Sequence, residues 1–404
     1  MKNGCNWRTE RRNKPGSCFL QIVLRLAAAD KPSPLDFCDN SPMRSAWLLL
    51  LTAILAAQSR PRAQTSHTSE TLRGVSAVSR QIAWASGTHG TYLRTTNAGR
   101  TWIPAQVPGA VTLDFRAVVA FFADEAFLMS AGPGELSRIY HTTDAGRNWQ
   151  LQFTNTNPKG FFDSMVFWDR THGIVLGDPI PDESGQLKFE LLLTDDGHTW
   201  HPIPPSQLPP ALDGEGAFAA SNTCLAILST KSKSGPSGPR AAANDDNALA
   251  PADPNIWFAT GGKAARVFHS ADRGQTWQVF DTPIFHGPDS AGIFTIAFLD
   301  PLHGLIAGGD YQHPNQDVPN LATTDDGGKT FRLFQTLDLR GYISAIALDP
   351  RHPARVFYIG PDYIADSDRN HRIKYPRQKF YAASRFPHGG ALFVGPDGAI
   401  GSIP

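Results

Sequence analysis

Short apolar runs return along this chain, and seven of them read as the first strand of a repeating unit: residues 74–79, 115–122, 164–168, 217–221, 293–299, 342–348 and 380–386. Each is followed by further apolar segments punctuated by Gly, Pro, Asp and Asn. The pattern predicts an all-β protein, a seven-bladed β-propeller of four-stranded antiparallel blades, with the first strand of each blade lining a central channel. The seventh run leaves only three strands before Pro404. The outer strand of the last blade is therefore expected from the segment around 65–71, closing the ring with both chain ends and removing exposed sheet edges.

The polar positions between the runs carry their own repeat. A small or hydroxyl residue, Asp or Asn two positions on, Gly two further and an aromatic three after that recur at Thr95-Thr-Asn97-Ala-Gly99-Arg-Thr-Trp102, Thr142-Thr-Asp144-Ala-Gly146-Arg-Asn-Trp149, Leu193-Thr-Asp195-Asp-Gly197-His-Thr-Trp200, Ser270-Ala-Asp272-Arg-Gly274-Gln-Thr-Trp277 and Thr324-Asp-Asp326-Gly-Gly328-Lys-Thr-Phe331. The Asp or Asn oxygen can accept backbone N–H groups, Gly supplies the positive φ that closes the turn, and the aromatic anchors the next strand. Asn97, Asp144, Asp195, Asp272 and Asp326 are read as structural clasps, with Trp102, Trp149, Trp200, Trp277 and Phe331 as their anchors. A decayed sixth copy lies at 366–370, with Ile373 at the aromatic position. Successive Asp or Asn positions lie 47, 51, 77 and 54 residues apart, which suits a four-stranded blade. The long interval holds residues 229–255, rich in Lys, Ser, Gly, Pro, Ala and Asp, which read as an exposed loop inserted in blade four.

Composition narrows the function classes. The 404 residues carry 41% hydrophobic and 18% charged side chains, with 36 Gly and 32 Pro for many tight turns, and a formal net charge of zero. A duplex nucleic-acid partner would call for a basic excess, and no lysine–aromatic stripe serves single strands. Residues 43–59, with Arg44 ahead of the apolar run Ala46–Ala57, read as a signal peptide cut after Ser59 or after Ala63; residues 1–42 read as an upstream extension. The mature chain, a 64–404 propeller, is thus expected to be exported, to the periplasm or beyond. Cys5, Cys18 and Cys38 would leave with the leader, and Cys224 remains as a buried strand residue. No phosphate-binding glycine loop opens a helix, and neither Cys-x-x-Cys nor His-Glu-x-x-His occurs. Nucleotide, metal and cofactor chemistry are therefore not expected. His172 and His303, each before Gly, read as turn residues.

The eight-residue pattern resembles the Asp-box of BNR repeats in sialidase and sortilin-type propellers. The longer unit, seen at Phe167-Trp-Asp169-Arg-Thr-His172-Gly173-Ile-Val-Leu-Gly177-Asp178 and Phe298-Leu-Asp300-Pro-Leu-His303-Gly304-Leu-Ile-Ala-Gly308-Gly-Asp310, resembles the Ycf48-like family of photosystem II assembly and stability factors. That resemblance implies a non-enzymatic scaffold that holds a polypeptide, such as a subunit of a membrane complex.

Turns into the inner strands, and turns between second and third strands, should gather at one channel mouth. They offer Arg73, Arg116, Asp163, Glu215, Arg340 and Tyr342, with Asp178 and Asp310 from the second set. As a binding site, Arg73, Arg116 and Arg340 would contact acidic or C-terminal carboxylate groups, beside Asp178 and Asp310. The same charges could instead pair internally and lock the blades. The alternative implied by the sialidase resemblance is a glycoside hydrolase, with a glycan substrate and Asp163, Glu215 and Tyr342 as the acting groups. Its Phe-Arg-Ile-Pro segment reads Phe115-Arg116-Ala117-Val118 here, and a sialidase has six blades. The expected protein is a monomer without a catalytic residue set.

Overall fold

A computed structural model describes residues 62–228, 254–334, 339–348, 355–367, 371–374, 379–387 and 389–403. The upstream extension, the signal segment up to Ser59 and nearly all of the 229–255 loop lie outside those residues. The described chain is a seven-bladed β-propeller of four-stranded antiparallel blades, with two short 3-10 turns. The inner strands are Leu72–Ala77, Asp114–Ala120, Phe162–Phe167, Leu225–Ile227, Ala291–Phe298, Ala345–Leu348 and Ala382–Arg385.

Blades stack face to face, so their middle strands are covered on both sides. That is why the sequence shows continuous apolar runs rather than alternation: all six residues of Ala126–Ala131 and all four of Val356–Ile359 are buried. Seven hydrophobic clusters result, each between two neighbouring blades. Trp84 and Tyr92 of blade 1, for example, meet Phe115 and Leu128 of blade 2. Polar bonds add to this stitching. Ala120 N–H donates to Ser76 Oγ at 3.0 Å, Ala77 N–H to Ser384 Oγ at 3.0 Å and Ile346 N–H to Thr295 Oγ1 at 3.1 Å, each from one inner strand to the next blade.

The last blade takes its outer strand from Arg62–Gln64, which pairs with Ile400–Ile403. This is slightly earlier than the expected 65–71 segment. Gln64 receives Trp102 Nε1–H at 2.7 Å and donates to Ser402 Oγ at 2.9 Å, tying blade 1 to the closing blade. A cut after Ala63 would remove two of this strand's three residues; a cut after Ser59 leaves it whole. The fourth inner strand also differs from expectation. Residues 217–221 are not a strand, and Leu225–Ile227 takes that place, because Ala217–Ala220 instead borders the central cavity.

The repeated turns hold both their own hairpin and the neighbouring blade. Thr142 Oγ1 donates to Asp144 Oδ1 at 2.9 Å and accepts Gly146 N–H at 3.1 Å, while Asn148 N–H donates to Asp144 Oδ1 at 2.9 Å. Ala145 and Gly146 have φ of 67° and 84°, two successive left-handed residues of which only the second, as Gly, takes that conformation without strain. Tyr92 of blade 1 then donates to Gly146 O at 2.8 Å. Asn97, Asp272 and Asp326 stand in equivalent bonds. The third turn corrects the register of the repeat. Its hydroxyl is Thr194, and the carboxylate that receives Thr194, His198 N–H and Thr199 N–H is Asp196, not Asp195. This turn is one residue shorter between hydroxyl and Gly, so the acid moves one place later. In blade 6 Asp366 receives Arg355, with Arg355 Nη2 at 2.9 Å, and Ser367 Oγ receives Val356 N–H; the rest of that decayed copy, 368–370, lies outside the described residues. His172 and His303 close Asp–His turns with Asp169 and Asp300.

Candidate functional site: the hub cavity

Four inner strands carry a β-bulge near their start, between Leu72 and Gly74, Phe115 and Ala117, Phe162 and Ser164, and Ile293 and Thr295. The residue in each bulge is Arg73, Arg116, Asp163 or Phe294. A bulge leaves one residue out of the ladder and re-aims its side chain. All four line one cavity of about 590 Å³ at the hub. Small residues follow the bulged ones, Gly74, Ala117, Ser164 and Thr295, because the next blade crowds them: a Cβ on Gly74 would sit 3.0 Å from Arg116 O. Asp178 reaches the same cavity from a further bulge, between Gly177 and Pro179.

Arg73 and Arg116 converge on one carboxylate. Asp114 Oδ2 lies 2.9 Å from Arg116 Nε and 3.8 Å from Arg73 Nε. Arg116 Nη1 also donates to Ala219 O at 2.9 Å. Arg73 Nε is buried with no hydrogen-bond partner; burial, together with Arg116, lowers its guanidinium's affinity for the proton. Two cations on one acid leave surplus positive charge at this side, with the exposed Lys379 nearby.

Opposite charge comes from blade 3. Asp163 is 1% exposed and its Oδ2 has no partner. Burial, and then the neighbouring Asp178, push its carboxyl well above the usual range, against the pull of Arg116 and the Ala219 N–H. Asp178 accepts Ala217 N–H at 2.9 Å, and burial raises it to about 6. Aromatic rings form the remaining wall: Phe218 stacks on Phe294 at 4.0 Å, and Tyr342 meets Phe294 edge-on at 4.7 Å. Burial, and then Tyr381, push the Tyr342 phenol up.

The structure therefore brings together Arg73, Arg116, Asp163, Asp178 and Tyr342. It separates the other three residues offered for the mouth. Glu215 is fully enclosed with Arg266, whose Nε lies 3.0 Å from Oε1, and receives Thr260 Oγ1 at 2.6 Å and Leu212 N–H at 2.8 Å. Asp310 is 2% exposed and takes His313 Nδ1 at 2.9 Å. Burial raises its carboxyl, but the bonds from His313, Ser290 and the backbone outweigh this and hold it low. Arg340 is half exposed and pairs with Asp317 at 3.6 Å. The set Asp163, Glu215 and Tyr342 is thus not assembled at one place. Asp114, Phe218, Phe294 and Tyr381 were missed by sequence reasoning; the recurrent bulged-residue, small, apolar triplet is the signal that finds Phe294 and Tyr381.

A second, open groove of about 1160 Å³ shares Lys379 and Tyr381 with the cavity and runs along residues 64–69 and 396–399. Cys224, buried behind Asp163, has its thiol pushed up by burial and by that acid. Among the described residues no helix is long and apolar enough to cross a membrane, and no group of three His, Cys, Asp or Glu is placed to hold a metal ion.

No family model and no curated protein matches the chain. Solved structures share its fold. A structure described as YCF48 bound to D1 peptide is 15% identical with a TM-score of 0.52, over 85% of this chain and 96% of the other. A GH74 xyloglucanase from Xanthomonas campestris is 14% identical with a TM-score of 0.53, and a GH74 enzyme from Niastella koreensis 11% identical with 0.54; each is matched over 84% of this chain. The chain spans about half of each GH74 structure, 53% of its length. These likenesses show a shared propeller fold, with a Ycf48 structure and GH74 propellers both among the neighbours.

Proposed function

We propose that the protein is an exported, non-enzymatic scaffold that captures a polypeptide at the hub cavity. The observation that carries this reading is the pair Arg73 and Arg116, aimed inward by bulges and sharing a single acid. A carboxylate entering there gains charge-assisted bonds from donors already held in place. The cavity lies within the roughly 300–1,000 Å³ span of sites that enclose small ligands, and its aromatic wall supplies apolar contact. The adjoining groove gives an extended chain a path outward, which favours a peptide over an isolated small molecule. A similar propeller has been solved with a peptide bound. Export fits cleavage after Ser59, which keeps the closing strand whole.

The test is binding of a random hexapeptide library with free C-terminal carboxylates to the wild-type chain and to Arg73→Gln/Arg116→Gln. Loss of retention in a variant with an unchanged circular dichroism spectrum supports the reading; equal retention counts against it. The glycosidase reading is favoured by one observation, two cavity carboxyls held above their usual range. Turnover of aryl glycosides that disappears in Asp163→Asn/Asp178→Asn would establish it in place of capture.

A further inference from the structure

The arginines account for one side of the cavity and leave Asp163 unexplained. A buried carboxyl with an unbonded oxygen is costly and is rarely kept without a use. Arg116 does not neutralise it directly, since its Nε goes to Asp114 and its Nη1 to Ala219 O. The groups facing Asp163 are Asp178 from the second strand of its own blade, Arg116 from blade 2, and the Cys224 thiol and Ala219 N–H from the segment leading into blade 4. Elsewhere on the cavity wall stand Arg73 and Lys379 and the phenols of Tyr311, Tyr342 and Tyr381. The cavity thus has a basic pole from blades 1 and 2 and an acidic pole from blade 3. The acidic pole holds Asp163 and Asp178, and Asp163 Oδ2 lacks a donor.

Resting on the capture reading, we propose that this cavity is a two-pole site for a polypeptide C-terminus bearing Lys or Arg as its last residue. The terminal carboxylate lies on Arg73 and Arg116, and the side-chain cation lies between Asp163 and Asp178. A chain in the adjoining groove reaches the cavity with its end, which places both groups of one residue within it. Burial keeps the acid pair partly protonated when the cavity is empty. An arriving ammonium or guanidinium takes the proton's place, the proton leaves to solvent, and both acids become charged against the cation. A ligand ending in Glu would instead set a third carboxyl against the pair and be rejected.

The experiment uses otherwise identical fluorescent hexapeptides ending in Arg, in its neutral isostere citrulline, or in Glu, each as free acid and as amide. Anisotropy on the mature chain at pH 7.5 should show the Arg acid binding roughly tenfold or more tighter than the citrulline acid. That advantage should shrink toward pH 5, where the pair holds its protons, and calorimetry in two buffers should count proton release on binding. Asp163→Asn should abolish the advantage of the Arg acid over the citrulline acid, and Asp178→Asn, measured alongside, should do the same. Equal binding of Arg and citrulline acids, both tighter than their amides, would overturn the acidic pole and leave the capture reading standing. Binding indifferent both to the amide cap and to Arg73→Gln/Arg116→Gln would sink the two together.

Discussion

Glu215→Ala separates a structural acid from a catalytic one. The Glu215 carboxylate is completely enclosed and receives bonds from Arg266, Thr260 Oγ1 and Leu212 N–H. Its loss strands a guanidinium whose side chain is 10% exposed, leaving it Pro210 O at 3.0 Å and the Phe268 ring at 5.1 Å. Breaking a buried pair from one side costs about 3–5 kcal/mol. For ~340 residues the unfolding entropy is about 0.7 kcal/mol/K, so thermal melting by circular dichroism should fall by about 4–7 °C. Replacing both partners by apolar residues, Glu215→Leu with Arg266→Met, should recover at least half of that, because no charge is left uncompensated. The effect should also reach the cavity. Glu215 anchors the short strand Glu215–Gly216, and the segment beyond it supplies Ala217 N–H to Asp178 and Ala219 O to Arg116. A melting change under about 1 °C for the single variant, or no recovery in the double, would refute this reasoning.

Three further outcomes follow from named contacts. Gln64→Leu removes both bonds that tie Trp102 and Ser402 at the ring closure; it should cost about 1–3 kcal/mol in urea unfolding, and an unchanged midpoint would deny the closure its role. Asp178 has a folded pKa of about 6 against about 3.9 unfolded. The folded state therefore holds the proton more tightly, and about 3 kcal/mol of stability is lost as pH rises from ~4 through ~6. Asp178→Asn should then stabilise the protein at pH 8 and change little at pH 4; a melting difference independent of pH would contradict this. Cys224, fully buried with its thiol pushed up, should resist a thiol-specific reagent in the native chain and react on unfolding; rapid native labelling would place it elsewhere.

The fold was legible because all seven blades repeat an apolar run covered on both faces, and five of them also carry the independent acid–glycine–aromatic turn. Where one signal weakened, the reading slipped. The third turn lost a residue, and two adjacent acids, Asp195 and Asp196, left nothing in the sequence to choose between them. In blade 4 the inner strand is only Leu225–Ile227, and the apolar segment before it reads as a strand although it borders the cavity. That one displacement put Glu215 at the mouth on paper and inside the protein in fact. Asp310 stands one residue later in its repeat than Asp178 does, because Gly309 follows Gly308, and His313 caps it three residues on, a local contact that repeat alignment does not carry. Arg73, Arg116 and Asp163 were found because the turns into the inner strands gather at one mouth, where bulges aim these side chains inward; the aromatic wall was missed because Phe294 and Tyr381 look like ordinary strand residues.

Amide hydrogen exchange with the tightest peptide from the carboxylate-ended library tests capture at the hub most directly. Slowed exchange at 217–220 and 342–344, with unchanged rates at the clasp turns 95–102 and 142–149, is the result this account predicts. Protection confined to the outer strands, with the hub exchanging as in the free protein, would contradict it.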